Sequence, residues 1–395
     1  MPHNRKRAKM GKVIYVVASG ATVRSFFKEH IKLLRSEGYD LLLVCTDDEH
    51  SRGVVDTTNV RFNPIKISTE ISPWSDLVAL TKLVVLLIRE KPSVVHAHMS
   101  KAGLVAMISS FICRVPHRIY HNHGMALFSY TGFKHYLLKS SEVLTCALAT
   151  KVVFCGNSTL EQAVENKISG IHKSIVLGYG TVSGIDLERF KVTLDDHGKS
   201  QLRDSIGLEE NRITVGYVGR IVAHKGIDNI INSWRSLTKE QHKSLQLVIA
   251  GSSGGDALAA RLDDLCSEYS NVIYLGRVNN ISEIYQLLNI LLLPSWHEGF
   301  PYSVLEAQAM GVPAIVSSVP GNLDAVVPGK TGLIVAAEDQ VSLAGAITKL
   351  AEDKSARDAM SQAARKRIHE YYSQTIALQS LSEFYSGLFQ QNVSR

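Results

Sequence analysis

Two carboxylates, Glu298 and Glu306, stand eight positions apart on either side of an expected helix start. They belong to the run Glu298-Gly299-Phe300-Pro301-Tyr302-Ser303-Val304-Leu305-Glu306, which lies between the apolar stretches 290–293 and 314–316. The pattern reads as strand, polar loop, short helix, tight turn and strand. In an open α/β sheet, loops at the carboxyl ends of the strands are where ligands bind. A helix start presents unpaired N–H groups and partial positive charge, which suit phosphate. Carboxylates suit hydroxyl-rich partners. A site accepting both has the requirements of a sugar nucleotide. The main-chain amides of Phe300, Ser303 and Val304 are the expected phosphate donors, with Ser303 adding a hydroxyl, whereas Pro301 has no N–H to give.

A second polar cluster follows an earlier strand. Arg220 and Lys225 lie five residues apart in one loop, flanked by Gly219 and Gly226. A bidentate guanidinium and a point-charge ammonium aimed at a departing diphosphate stabilise its developing charge. Gly20 closes the first strand of the chain, where a glycine lets backbone approach a ligand closely. No further glycine follows it in 21–25, so it is not a dinucleotide fingerprint. The segment Gly276-Arg277-Val278, after a third strand of the second half, is the expected contact for a base, made through main-chain groups around Arg277 and Val278.

Histidines recur as His96-x-His98 and His121-x-His123. Strand alternation puts His121 and His123 on one face. His96 and His98 read as polar residues at a strand end. Neither pair has an Asp, Glu or Cys at companion spacing, so no metal is expected there. The chain also holds no Asp-x-Asp of the kind that carries a divalent cation in other transferases.

These residues need a scaffold. With 395 residues the chain exceeds one ordinary core, and two domains are expected. Both halves alternate short apolar strands with helices of ten or so residues, which implies parallel sheets. The expected division is a basic tail at 1–12, a first domain at 13–195 and a second at 196–372. The linker falls in the polar stretch 191–200, and a final helix lies within 373–395. A net charge of +6 with 20% charged residues is not the footprint of a nucleic-acid binder. Five scattered cysteines, with no C-x-x-C pair, argue against a disulfide framework and structural zinc and fit a reducing cytoplasm. No apolar run reaches the roughly 20 residues of a spanning helix. The basic tail and the basic-aromatic segment 128–139 offer peripheral attraction to an anionic membrane.

Val218-Gly219-Arg220, Lys225-Gly226, the E-x7-E stretch and Gly329-Lys330-Thr331-Gly332 occur in an order and spacing that resemble glycosyltransferase family 4. The first half is similar to its bacterial surface-polysaccharide members in Val95-His96-Ala97-His98, His121-Asn122-His123-Gly124 and Tyr130-Thr131-Gly132-Phe133-Lys134. The resemblance implies the GT-B fold: two Rossmann-like, doubly wound parallel-sheet domains facing across a cleft, with the donor bound mainly by the second. It implies retaining transfer from a nucleotide diphosphate sugar, with a prior for UDP, to a hydroxyl of a glycan, free or lipid-linked. It also implies that the final helix, within 373–395, crosses back to the first domain. On the residues and the charge already described, no metal or other cofactor and no nucleic-acid partner are expected. Glu306 is assigned to the ribose hydroxyls, Glu298 to the donor sugar, and His123 (or His121) to the neighbourhood of the anomeric carbon. The family often has Pro-Glu where this chain has Leu323-Asp324, so the contact made there differs. The rival expectations are a sugar-nucleotide epimerase, a pyridoxal-dependent phosphorylase and a non-catalytic sugar-nucleotide sensor.

Overall fold

The computed structural model describes residues 11–390, and the chain divides into two units. The first runs up to Gly184 and includes, after the second unit, the helix Gln374–Gln390; the second is Ile185–Ser373. Of the basic segment 1–12, residues 1–10 lie outside the described residues. Lys12 opens the first strand and pairs with Glu90 at 3.0 Å.

The strands of the first unit are β1 Lys12–Val16, β2 Asp40–Cys45, β3 Arg61–Pro64, β4 Val94–His98, β5 His117–Asn122, β6 Lys151–Phe154 and β7 Ser174–Val176. They form one parallel sheet in the order β3-β2-β1-β4-β5-β6-β7. The second unit has β8 Ile213–Val218, β9 Leu245–Ala250, β10 Val272–Tyr274, β11 Ile290–Leu293, β12 Ala314–Ser317 and β13 Gly332–Val335. Their order is β10-β9-β8-β11-β12-β13, all parallel. Both units therefore have the doubly wound arrangement, with strand order reversing beside β1 and β4 in one and β8 and β11 in the other. Central strands such as Leu245–Ala250 and Ile290–Leu293 are buried along their whole length. This is why they read as continuous apolar runs rather than alternating ones.

Four expectations are corrected. The first unit ends at Gly184, not at 195. The segment after it is tied into the second unit, because Ile185 N–H donates to the Tyr372 carbonyl at 2.8 Å and the Gln286 side chain accepts from the amides of Thr193 and Leu194. The polar stretch at 191–200 is not a linker throughout. Asp195 caps a helix, Asp196–Ile206, by accepting from Gly198 N–H at 2.8 Å.

Gly20 does not close a strand: β1 ends at Val16, and Gly20 begins helical structure that continues through a π turn, Val23–Phe27, into Lys28–Ser36. A Cβ on Gly20 would lie 2.0 Å from the Asp48 carboxylate, and its N–H donates to Asp48 at 3.1 Å. The close approach that requires glycine is thus to Asp48. Finally, β4 extends to His98, so His96 and His98 are strand residues rather than loop residues.

Candidate functional site

The site of the second unit is built where its strand order reverses. After β8 the chain passes Gly219, and the Tyr217 hydroxyl donates to the carbonyl of Arg220 at 2.7 Å. A short turn, Ala223–Lys225, ends at Gly226 with φ +77°. A Cβ there would stand 2.0 Å from the Pro294 carbonyl oxygen, so only glycine lets this turn pack against the loop after β11. The two loops are also joined by Trp296 N–H donating to the His224 carbonyl at 2.8 Å. On the other flank Gly321, with φ +85°, lies so close to Gly299 that a Cβ would come within 2.6 Å of its carbonyl oxygen.

The result is an ion pair. Lys225 Nζ stands 2.6 Å from Glu298 Oε1, and the carboxylate side chain is only 6% exposed. Residues that the sequence assigned separately to phosphate and sugar are therefore held against each other. Arg220 follows Gly219 in the same loop, on the exposed side. Burial pushes the His297 imidazole below its ordinary range. His224 is pushed down as well, first by burial and then by Lys225 and Arg220. Burial pushes the Tyr217 hydroxyl up, with Glu298 adding to the effect. Tyr217, His224 and His297 were not singled out in the sequence. Their one signal there was adjacency to Arg220, Lys225 and Glu298.

The helix after this loop is Tyr302–Ala309. The Phe300 ring is buried and lies 5.6 Å from the ring of Tyr372, so its contribution to a ligand falls to the main chain. Val304 N–H turns back to the Pro301 carbonyl at 3.1 Å. The Val304 amide is therefore already engaged within its own turn.

Glu306 accepts a hydrogen bond from the Tyr285 hydroxyl at 2.9 Å. Its carboxyl is pushed up to about 7 by burial, with Tyr285 and then Arg189 opposing the shift. Tyr285 and Arg189 were missed because they lie far from Glu306 in the chain. Arg277 is exposed and Val278 half-buried just beyond β10. Their loop is anchored by Gly251 N–H donating to the Gly276 carbonyl at 2.7 Å. Asp324 lies in the helix Asn322–Ala325, whose Asn322 side chain is buried and donates to Ser317.

In the first unit the four sequence-flagged histidines come together. His98 of β4 is paired in register with His121 of β5, and His96 shares their face. His98 Nδ1 is 3.3 Å from His123 Nε2, and the rings of His121 and His123 are 4.8 Å apart. His123 follows the end of β5 and is half-buried, whereas His121 is 1% exposed. A buried chain supports this loop: Tyr120 donates to Glu142, Asn122 Nδ2 donates to Tyr120, and Gly124 N–H donates to Asn122 Oδ1.

Two doubly wound units, one carrying a cation–carboxylate cluster ahead of a helix start, define a glycosyltransferase of the GT-B fold. Comparison with known proteins gives the family. Residues 198–367 match the model described as glycosyl transferases group 1, and residues 22–178 match that of a glycosyl transferase 4-like domain. The capsular polysaccharide biosynthesis glycosyltransferase CapM of Staphylococcus aureus is 30% identical over 385 residues, covering 97% of this chain and 99% of the relative. An Escherichia coli UDP-Gal:alpha-D-GlcNAc-diphosphoundecaprenol alpha-1,3-galactosyltransferase is 26% identical over 86% of this chain and 87% of its own length. The structure of HepE from Anabaena in complex with UDP and glucose shares the fold, with a TM-score of 0.77 at 18% identity, over 95% of this chain and 100% of that one. The chain belongs to glycosyltransferase family 4, among the members of bacterial surface-polysaccharide type.

The raised Glu306 carboxyl sets a pH dependence. The folded protein holds this proton up to about 7, while the unfolded chain releases it near the ordinary value of 4.5. Stability from this group is complete below 4.5 and is lost as pH rises through 7. Glu306→Gln should therefore raise the melting temperature at pH 8 by at least about 2 °C and leave it unchanged at pH 4. Thermal unfolding at both values checks this.

Proposed function

We propose that the protein transfers a sugar from a UDP-sugar to a hydroxyl of a growing, polyprenyl diphosphate-linked glycan, with retention at the anomeric carbon and without a metal ion. The observation that carries this reading is the Lys225–Glu298 pair beside Arg220, at the strand-order reversal of the second unit. Arg220 and Lys225 take the diphosphate, with the Ser303 amide and hydroxyl and the main chain around Phe300 and Val304 completing its shell. Glu298 faces the donor sugar. Glu306, steadied by Tyr285, accepts the ribose hydroxyls. The loop of Arg277 and Val278 takes the base. His123 serves the acceptor hydroxyl or the donor sugar. Gly20 is a weaker diphosphate contact, since its N–H is already given to Asp48. The HepE complex with UDP supports the choice of donor, and the E. coli relative supports a lipid-linked acceptor.

Chemically, the bond from the anomeric carbon to the diphosphate oxygen breaks as the bond to the acceptor oxygen forms on the same face. The departing diphosphate takes the acceptor proton, and Arg220 and Lys225 stabilise the charge left on it. Lys225→Ala and Glu298→Ala should each lower transfer at least about a hundredfold, and adding Mg2+ or Mn2+ should not raise the wild-type rate. Radiolabelled sugar transfer measures this. A loss under about threefold in both variants, or a glycosyl ester trapped at Glu298, contradicts the assignment.

The lipid-linked acceptor implies peripheral contact with an anionic membrane. The helices Pro73–Glu90, Ser100–Ile112 and Gly132–Leu148 pack side by side in the first unit. They expose Trp74 (78%), Phe133 (83%) and Tyr136 (69%), among other apolar side chains. The Lys134 ammonium lies 3.6 Å over the Tyr130 ring, and Lys82 and Arg89 are exposed on the first of these helices. This combination suits interfacial insertion. Among the described residues no helix is long and apolar enough to cross a membrane. The protein should sediment with anionic vesicles at low salt and come off at high salt, and Trp74→Ser with Phe133→Ser should weaken the association. Absence of binding at low salt excludes the contact.

A further inference from the structure

The histidines of the first unit do more than line a strand end. His96, His98 and His121 each offer a ring nitrogen, and these nitrogens lie within 4.8 Å of one another. All three residues are at most 1% exposed. Nε2 of His96, Nε2 of His98 and both nitrogens of His121 have no hydrogen-bond partner among the described residues. Buried polar atoms in native proteins are nearly always partnered, so a group of them converging on one point calls for an occupant. We propose that His96, His98 and His121 bind one divalent transition-metal ion, of the class of Zn2+.

The choice of ion follows from the donors. Imidazole nitrogen suits Zn2+, Ni2+ and Cu2+, whereas Mg2+ and Ca2+ require oxygen ligands. Three imidazoles and one open position form a familiar zinc arrangement, whose nitrogens stand about 3.4 Å apart around a tetrahedral ion. The three nitrogens, within 4.8 Å of one another, must draw closer by side-chain rotation to take up that geometry. The register of the sheet supplies the three ligands: His98 faces His121 across β4 and β5, and His96 follows two residues before His98 on the same face.

The surroundings orient the rings. His96 Nδ1 is 2.9 Å from the Tyr385 hydroxyl of the helix Gln374–Gln390, which leaves Nε2 for the ion. His98 Nδ1 is 3.3 Å from His123, which again leaves Nε2. The Phe27 ring covers His98 at 4.1 Å between centroids. His123, half-buried, is the most exposed member of the cluster. Such hydrogen bonds from the second nitrogen are what set ligand tautomers in metal sites. The ion would hold the ends of β4 and β5 and, through His98, the ring of His123. It belongs to the first unit and plays no part in neutralising the diphosphate, so the proposal stands or falls apart from the proposed transfer chemistry.

The test uses the full chain without a histidine tag, stripped with chelator and then offered Zn2+ or Co2+. After gel filtration the wild type should retain one zinc per chain by elemental analysis. The Co2+ form should show the strong visible absorption of a four-coordinate, nitrogen-ligated ion, and Zn2+ but not Mg2+ should raise the melting temperature. His121→Asn and His96→Asn should lose the ion, Tyr385→Phe should bind it about tenfold more weakly, and His172→Asn, at an exposed histidine elsewhere in this unit, should match the wild type. If a ligand variant fails to fold, the Co2+ spectrum of the wild type and the Tyr385→Phe affinity still decide. A wild type that retains neither ion marks the cluster as hydrated imidazoles and overturns the proposal. Full retention in His121→Asn does the same.

Discussion

The second unit is organised around one ion pair, Lys225 with Glu298. A carboxylate this buried needs a charged partner, because desolvation without one costs several kcal/mol. Lys225 is the partner, and it can reach only because Gly226 lets its turn lie against the loop after β11. Gly321 brings a third loop against Gly299 from the other flank. Three strand ends are thus drawn together by a charge requirement and by two glycines with no substitute. The pair also stores a latent cation. Arg220, Lys225 and Glu298 together carry one net positive charge before a donor arrives. In the proposed reaction, a diphosphate that draws Lys225 to itself would leave Glu298 facing the sugar it carries.

The rest of the scaffold puts such chemistry at the strand ends. Each unit reverses its strand order once, and at each reversal a crevice opens beside the carboxyl ends of the central strands. In the second unit that place holds Arg220, Glu298 and the helix start at Tyr302. In the first it holds the histidines of β4 and β5. The apolar strands between carry no chemistry. Their burial on both faces fixes the register that sets His98 opposite His121.

Much of this was legible in the sequence, and the gaps have physical causes. Most strands of both sheets announced themselves as apolar runs, because a strand buried on both faces tolerates little else; the edge strand β3, Arg61–Pro64, did not, being polar and largely unburied. The E-x7-E stretch revealed its helix start through local spacing. By contrast, the pairing of Lys225 with Glu298, and of Tyr285 with Glu306, depends on which strands are neighbours in the sheet, and that order is not written locally. The polar stretch at 191–200 read as linker because its helix packs few apolar residues and depends on the Asp195 cap. Gly20 read as a strand-end glycine facing a ligand because its real constraint, the approach of Asp48, comes from the loop after another strand. His96 and His98 read only as polar residues at a strand end because nothing local in the sequence marks what covers them. The covering Tyr385 lies nearly three hundred residues away.

The central claim is that the cations of the second unit, and not a bound metal, meet the donor's diphosphate. A crystal structure of the protein with UDP, grown without divalent ions, tests it most directly. The account predicts phosphate oxygens within hydrogen-bond distance of Arg220 and Lys225 Nζ, with the Glu298 carboxylate released from the lysine and turned toward the site of the sugar. Phosphates bound elsewhere, or a Lys225–Glu298 pair left intact with the diphosphate out of reach of both cations, would contradict it.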